Sequence, residues 1–167
     1  RLPSSMTSLT IGIIGLGYVG LPLSLQFART GSVVLGFDID PEKTNARMES
    51  RRYILHIPAE AVREQREAGR LAATTDFARA SECEALIICV PTPLARHRDP
   101  DLTYVLNTGR AIAPHLRPGQ LVVLESTTYP GTTEELMVPI LEAASGLKAG
   151  TDFQAGYSPE RIDPGNK

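Results

Sequence analysis

Three glycines, Gly15, Gly17 and Gly20, stand in the spacing G-x-G-x-x-G within IGIIGLGYVGLPLS, residues 11–24. Where such a turn joins an apolar strand to a helix, it can cradle a pyrophosphate. The first glycine permits the sharp turn. The second lets the backbone approach a bulky anion with no Cβ in the way, and the third lets the helix pack closely on the sheet. Free N–H groups at the helix start, together with its dipole, then hold the anion. Pro22 does not contradict the helix, because in the first turn its missing N–H has no intrahelical acceptor to lose. Asp38 follows Gly20 by 18 positions, close to the roughly 20 expected of the carboxylate that binds an adenosine ribose. Asp40 competes for that role, but its place before Pro41 suits a helix cap better. A carboxylate at Asp38 repels a 2′-phosphate and so favours NAD over NADP. Lys43 could reach the same adenosine end or be an ordinary solvated lysine.

Three later segments carry chemistry at strand ends, where ligands of open α/β sheets sit. VPTPL holds Thr92 between two prolines, ESTTYPGT offers the hydroxyls of Ser126, Thr127 and Thr128, and YSPERIDPG brings Glu160, Arg161 and Asp163. Each is also ordinary turn chemistry when taken singly. Three on one rim of a nucleotide-binding sheet are harder to dismiss.

The elements that must position these residues are legible as short apolar runs alternating with amphipathic stretches. Strands are expected at 9–14, 32–38, 71–75, 85–90, 121–126 and 152–158. Their near-continuous apolarity suits parallel strands covered on both faces. Helices are expected after Asp40–Pro41, from Pro58 to Gly69, after Asp101, and from a Thr132–Glu135 capping box. Pro139 should kink or shorten the last of these. The fold class is therefore α/β, a doubly wound Rossmann-like sheet, mostly parallel, of about six strands. Residues 1–8 are expected to be disordered or vector-derived, with Met6 as the native start, and residues 9–167 to form one dinucleotide-binding domain.

Composition excludes several classes. The 167 residues are 42% hydrophobic with a formal net charge of −2, so no basic excess points to nucleic acid or an anionic membrane. Runs such as ALIICV are too short to span a bilayer, and RLPSSMTSL lacks the apolar core of a signal peptide, which points to the cytoplasm. Two cysteines six positions apart fit neither a disulfide framework nor a zinc site, and no metal is expected.

GIIGLGYVGLPLS, GFDIDPEK, ICVPTPL, LESTTYPGTTEE and YSPERIDPG together resemble the UDP-glucose/GDP-mannose dehydrogenase family, from about residue 9 to the end. VPTPL with the downstream DPDLTYV, ESTTYPGTT and SPERIDPGNK are most similar to its UDP-N-acetylglucosamine 6-dehydrogenase branch; the UDP-N-acetylmannosamine and UDP-glucose branches are close alternatives. The resemblance implies oxidation of a UDP-sugar C6 alcohol to a carboxylate with two NAD, for polysaccharide precursors, in a homo-oligomer. An aldehyde forms first, a cysteine thiol captures it, a second hydride transfer gives a thioester, and water releases the acid. It further implies that the backbone of Tyr18 and Val19 meets the pyrophosphate and that Asp38 and Lys43 hold the adenosine side. Thr92 and Thr128 line the nicotinamide side, Val90 also belongs to the cofactor site, and Glu160 orients or deprotonates the hydrolytic water. Arg161 and Asp163 help shape the sugar pocket.

The family's nucleophile lies in a GGSCFPKD-type segment that does not occur here. Cys89, inside an apolar strand, reads as a small core residue, and Cys83 has no neighbouring cations in sequence to activate it. The chain is therefore expected to be the cofactor domain of a larger enzyme and inactive alone. The competing class is a stand-alone NAD-binding sensor or regulatory module, which would have no use for the hydrolytic carboxylate of SPER.

Overall fold

The computed structural model describes residues 8–38, 57–93, 100–126 and 131–159. Six strands form one sheet: β1 Thr10–Ile14, β2 Val33–Phe37, β3 Leu71–Thr74, β4 Ala85–Ile88, β5 Leu121–Ser126 and β6 Gln154–Pro159. All neighbours pair in parallel, in the order β3-β2-β1-β4-β5-β6. Connections run outward from β1 on one side and from β4 on the other. The carboxyl ends of β1 and β4 therefore face the crevice where the winding reverses. This is the doubly wound sheet expected from the sequence.

Helices α1 (Gly20–Arg29), α2 (Ala59–Glu67), α3 (Thr103–Ile112) and α4 (Val138–Ser145) sit in two layers. On one face Ile11, Ile13, Val34 and Ile87 pack under Leu21, Leu25 and Ala28 of α1 and Val62 of α2. On the other, Ile14, Phe37, Ile88 and Leu124 pack with Val105 and Ile112 of α3 and Leu141 of α4. Strict alternation along each strand separates the layers. Ile13 and Leu86 are fully buried on opposite faces, as expected of strands covered on both sides.

Several boundaries differ from the expected ones for local reasons. β4 ends at Ile88, two residues early, because Pro91 has no N–H to continue a ladder after Cys89 N donates its bond to Ile14 O (2.8 Å). β6 starts at Gln154 because the Asp152 carboxylate accepts from Lys148 N (2.8 Å) and closes a turn there. The residue that caps the helix is Leu102, with no side-chain cap bond; Asp101, one position earlier, accepts from Thr103 N instead (2.9 Å). That helix stops at Ile112 and tightens into a 3₁₀ turn, Ala113–His115, around Pro114. Pro58 and Gly69 bracket α2, with Gly69 at φ +69°. The Asp40–Pro41 helix lies outside the described residues.

The Thr132–Glu135 capping box does not form. Thr132 is already helical (φ −54°, ψ −41°), buried, and makes no side-chain cap bond. Glu135 instead donates its N–H to Gly131 O (2.8 Å), while its carboxylate lies over Gly131. A π turn, Thr133–Met137, precedes α4 and places Pro139 in its first turn, where no N–H is required.

Candidate functional site

The glycine turn is built by close contact. Gly15 has φ +93°, a conformation that an L side chain rarely adopts, and a Cβ there would lie 2.9 Å from Cys89 O and 3.2 Å from Val90 Cα. The turn leaving β1 therefore rests on the end of β4. Gly15 N donates to Phe37 O (3.0 Å), tying the same turn to the end of β2. At Gly20 a Cβ would overlap the Gly15 carbonyl. Gly17 is different: a Cβ there would meet nothing within 4 Å, and its φ is not in the left-handed region. Packing among the described residues does not require a glycine at this position. Open space beside a helix start is what an approaching anion needs.

Helix α1 begins at Gly20 without a side-chain cap and with no acidic residue in its first turn. No carboxylate in that turn repels a phosphate. Leu21 N and Leu23 N donate to Gly17 O and Val19 O (both 3.1 Å), and Pro22 falls between them. Tyr18 is 63% exposed on the turn, and Val19 is half-buried.

Asp38 stands at the carboxyl end of β2, beside the turn, and is 8% exposed, with its N–H donated to Thr74 O (3.2 Å). The turn and an acidic strand end thus come together as predicted. Val90 and Thr92, both half-buried, continue the rim beyond β4. The base of that connection is fixed where Asp101 N donates to Pro93 O (2.7 Å). Hydrogen bonds from Thr103, side chain first and then backbone, hold the Asp101 carboxyl below the usual carboxylate range. Lys43, Thr127, Thr128, Glu160, Arg161 and Asp163 lie outside the described residues.

Two supporting residues were not anticipated. Leu16, 1% exposed, turns inward from the glycine loop and fills the place of a side chain at Gly36, where a Cβ would lie 2.8 Å from both Leu16 methyls. A glycine inside the apolar run VVLGF was the available signal. Buried Ser24 donates its hydroxyl to Gly20 O (2.7 Å) and steadies the first turn of α1.

Cys83 and Cys89 are both buried. Burial, with Glu82 and Glu84 nearby, pushes the Cys83 thiol up to about 12, the opposite of an activated nucleophile. Among the described residues no group of three or more His, Cys, Asp or Glu side chains could hold a metal ion. No helix among them is long and apolar enough to cross a membrane.

A glycine turn at the β1/β4 crevice, a helix start free of acidic residues and a carboxylate at the end of β2 define a dinucleotide-binding domain of the dehydrogenase type. The sequence profile of the UDP-glucose/GDP-mannose dehydrogenase family, NAD binding domain, matches residues 9–167. The chain belongs to that family and is its NAD-binding domain. It is 43% identical over 162 residues to UDP-N-acetyl-D-glucosamine 6-dehydrogenase of Pseudomonas aeruginosa, covering 97% of this chain and 37% of that protein. It is 38% identical to UDP-N-acetyl-D-mannosamine dehydrogenase of Pyrococcus horikoshii, covering 93% and 37%. A crystal structure of a ternary complex of GDP-mannose dehydrogenase from Pseudomonas aeruginosa superposes with a TM-score of 0.84 at 34% identity, covering 92% and 36%. The chain thus spans little more than a third of the length of these relatives.

Proposed function

We propose that this chain is the cofactor domain of a UDP-sugar 6-dehydrogenase that converts the C6 alcohol of UDP-N-acetylglucosamine to a carboxylate. The observation that carries the sugar choice is the 43% identity to the Pseudomonas glucosamine enzyme, against 38% for the mannosamine enzyme of Pyrococcus. The product would serve polysaccharide precursor synthesis in the cytoplasm, and the working enzyme would be a homo-oligomer.

NAD, when bound, accepts a hydride at each of the two oxidation steps. Gly15, Gly17 and Gly20, with the backbone of Tyr18 and Val19, hold the pyrophosphate at the start of α1. Asp38, with Lys43, takes the adenosine ribose, and its negative charge excludes a 2′-phosphate. Val90, Thr92 and Thr128 orient the nicotinamide side. Glu160 places or deprotonates the water that releases the acyl group, and Arg161 and Asp163 shape the sugar pocket. The thiol that carries the acyl group belongs to sequence outside these residues, since Cys83 is buried and held protonated.

The test is steady-state kinetics of the complete gene product with UDP-N-acetylglucosamine, UDP-N-acetylmannosamine and UDP-glucose. The reading expects two NADH per sugar and the highest kcat/KM for UDP-N-acetylglucosamine. A higher value for either competitor would reassign the substrate, and one NADH per sugar would rule out the carboxylate product. In the same enzyme Glu160→Gln should trap a covalent thioester detectable as added mass.

A further inference from the structure

Gly36 lies within β2, and its φ is outside the left-handed region, so its backbone would accept an L side chain. What such a side chain would meet is a single residue. Among the described residues, the three atoms nearest to a Cβ at Gly36 all belong to Leu16, both methyls at 2.8 Å and Cγ at 3.2 Å. Gly12 in β1 differs, since a Cβ there would meet Leu86, Cys83 and Phe37 together, as ordinary core packing does. Leu16 is 1% exposed and belongs to the layer between the sheet and α1. A residue of the glycine turn thus reaches down onto one bare position of the neighbouring strand.

The place of Gly36 along β2 is a second observation. Asp38 N donates to Thr74 O (3.2 Å) as Val34 N does to Arg70 O (2.8 Å), so the ladder with β3 continues through Asp38. Side chains alternate between faces, and Val34, Gly36 and Asp38 therefore share the α1 side, where Val34 is packed. Gly36 stands two positions, about 7 Å, before the carboxylate. On the turn, Leu16 immediately precedes Gly17, where a Cβ would meet nothing within 4 Å. One contact therefore lies between the open part of the turn and the acidic end of the strand.

We infer that Leu16 is a positioning residue, and that its contact with the bare backbone of Gly36 sets the separation between the turn and the Asp38 carboxylate. The inference rests on the reading of Asp38 as the ribose partner. A dinucleotide engages both places at once, its pyrophosphate at Gly17 and its ribose at Asp38. Two linked contacts reinforce each other only when the spacing lets both form. Adenosine, which reaches Asp38 alone, is indifferent to the spacing. A Cβ at Gly36 needs ordinary contact of at least 3.4 Å where 2.8 Å is available, so the Leu16 methyls must retreat. Close-packed interiors transmit such strain, and with Leu16 buried the retreat is carried into the turn.

Calorimetric and NMR titration of this chain with NAD and with adenosine tests the inference. Gly36→Ala should weaken NAD at least tenfold and change adenosine less than twofold. Adding Leu16→Val, which withdraws the two methyls, should return NAD to within threefold of the unmodified protein, although Leu16→Val alone gives no gain. That reversal of sign is the mark of a direct pair. Leu16→Ala approaches from the opposite side, leaving space instead of overlap, and serves where Gly36→Ala does not fold. It should weaken NAD and spare adenosine, and Gly36→Ala added to it should recover part of the loss. Equal losses for NAD and adenosine, or absence of recovery in both double variants, would overturn the inference. Asp38→Ala separates the two readings. If it leaves NAD affinity unchanged, the ribose assignment fails and the inference with it. If it weakens NAD while Gly36→Ala and Leu16→Ala do not, the ribose assignment stands and only the role of Leu16 fails.

Discussion

The carbonyl of Gly15 occupies the place where a side chain at Gly20 would begin. The first and last glycines of the turn are therefore in contact, whereas at Gly17 between them no described residue lies within 4 Å of where its Cβ would be. Their roles separate accordingly. Gly20 serves the fold, and on the proposed reading Gly17 serves the cofactor.

Gly17→Ala should leave stability within about 0.5 kcal/mol, as for substitutions at open positions, while weakening NAD at least tenfold, or about 1.4 kcal/mol. Gly20→Ala forces overlap with backbone and should destabilise the domain by about 1–3 kcal/mol or more. Urea unfolding and calorimetric NAD titration of both variants check the split. Equal losses of stability would contradict it.

Asp38→Ala should cost about 1–3 kcal/mol of NAD affinity, the range for a hydrogen bond to a charged group, and should narrow the preference for NAD over NADP. Titration with both nucleotides decides. Equal affinities in the unmodified protein would remove Asp38 from the ribose site.

Gln120, 1% exposed, donates Nε2 to Ala80 O (2.9 Å) and Cys83 O (2.6 Å) and accepts from Arg117 N (2.7 Å). It joins the segment before β4 to the segment before β5. Gln120→Ala strands those buried groups and should lower stability by about 2–4 kcal/mol, measured as a shift in urea midpoint.

The Cys83 thiol is raised from 9.0 to about 12, by burial first and then by Glu82 and Glu84. An acid with a raised folded pKa favours the protonated folded state. Its contribution is complete below about pH 9 and is lost as pH rises from there toward 12. Thermal melts across that window should fall steeply, and Cys83→Ala should flatten the slope. A slope unchanged in the variant would assign it to other groups.

With NAD and any UDP-sugar the 167-residue chain should show no turnover, because it offers no accessible thiol to carry an acyl group. Steady NADH formation abolished by Cys83→Ala or Cys89→Ala would overturn this.

The sheet was readable because parallel strands covered on both faces write themselves as unbroken apolar runs, as in LTIGII and LIICV. The glycine turn was readable because backbone geometry, rather than distant packing, demands its residues. What escaped depends on partners far away in sequence. The helical conformation of Thr132 and the π turn ahead of Pro139 arise where that segment packs, with Met137 Sδ lying 2.8 Å from where a Cβ at Gly109 would be. Leu16 looked like a spacer between glycines, and only the bare backbone of Gly36 in the next strand explains why it is large.

The position of β1 between β2 and β4 has a consequence for synthesis. Its first partner comes 23 residues later, at Val33, but its second, at Ala85, comes 74 residues after Ile11. Until β4 has left the ribosome, the central strand is half-paired and Gly15 has no Cys89 to rest on. Closing that long loop is what slows parallel folds. The nucleotide cradle is encoded near the start of the chain, yet it gains its shape only when more than half of the domain has been made.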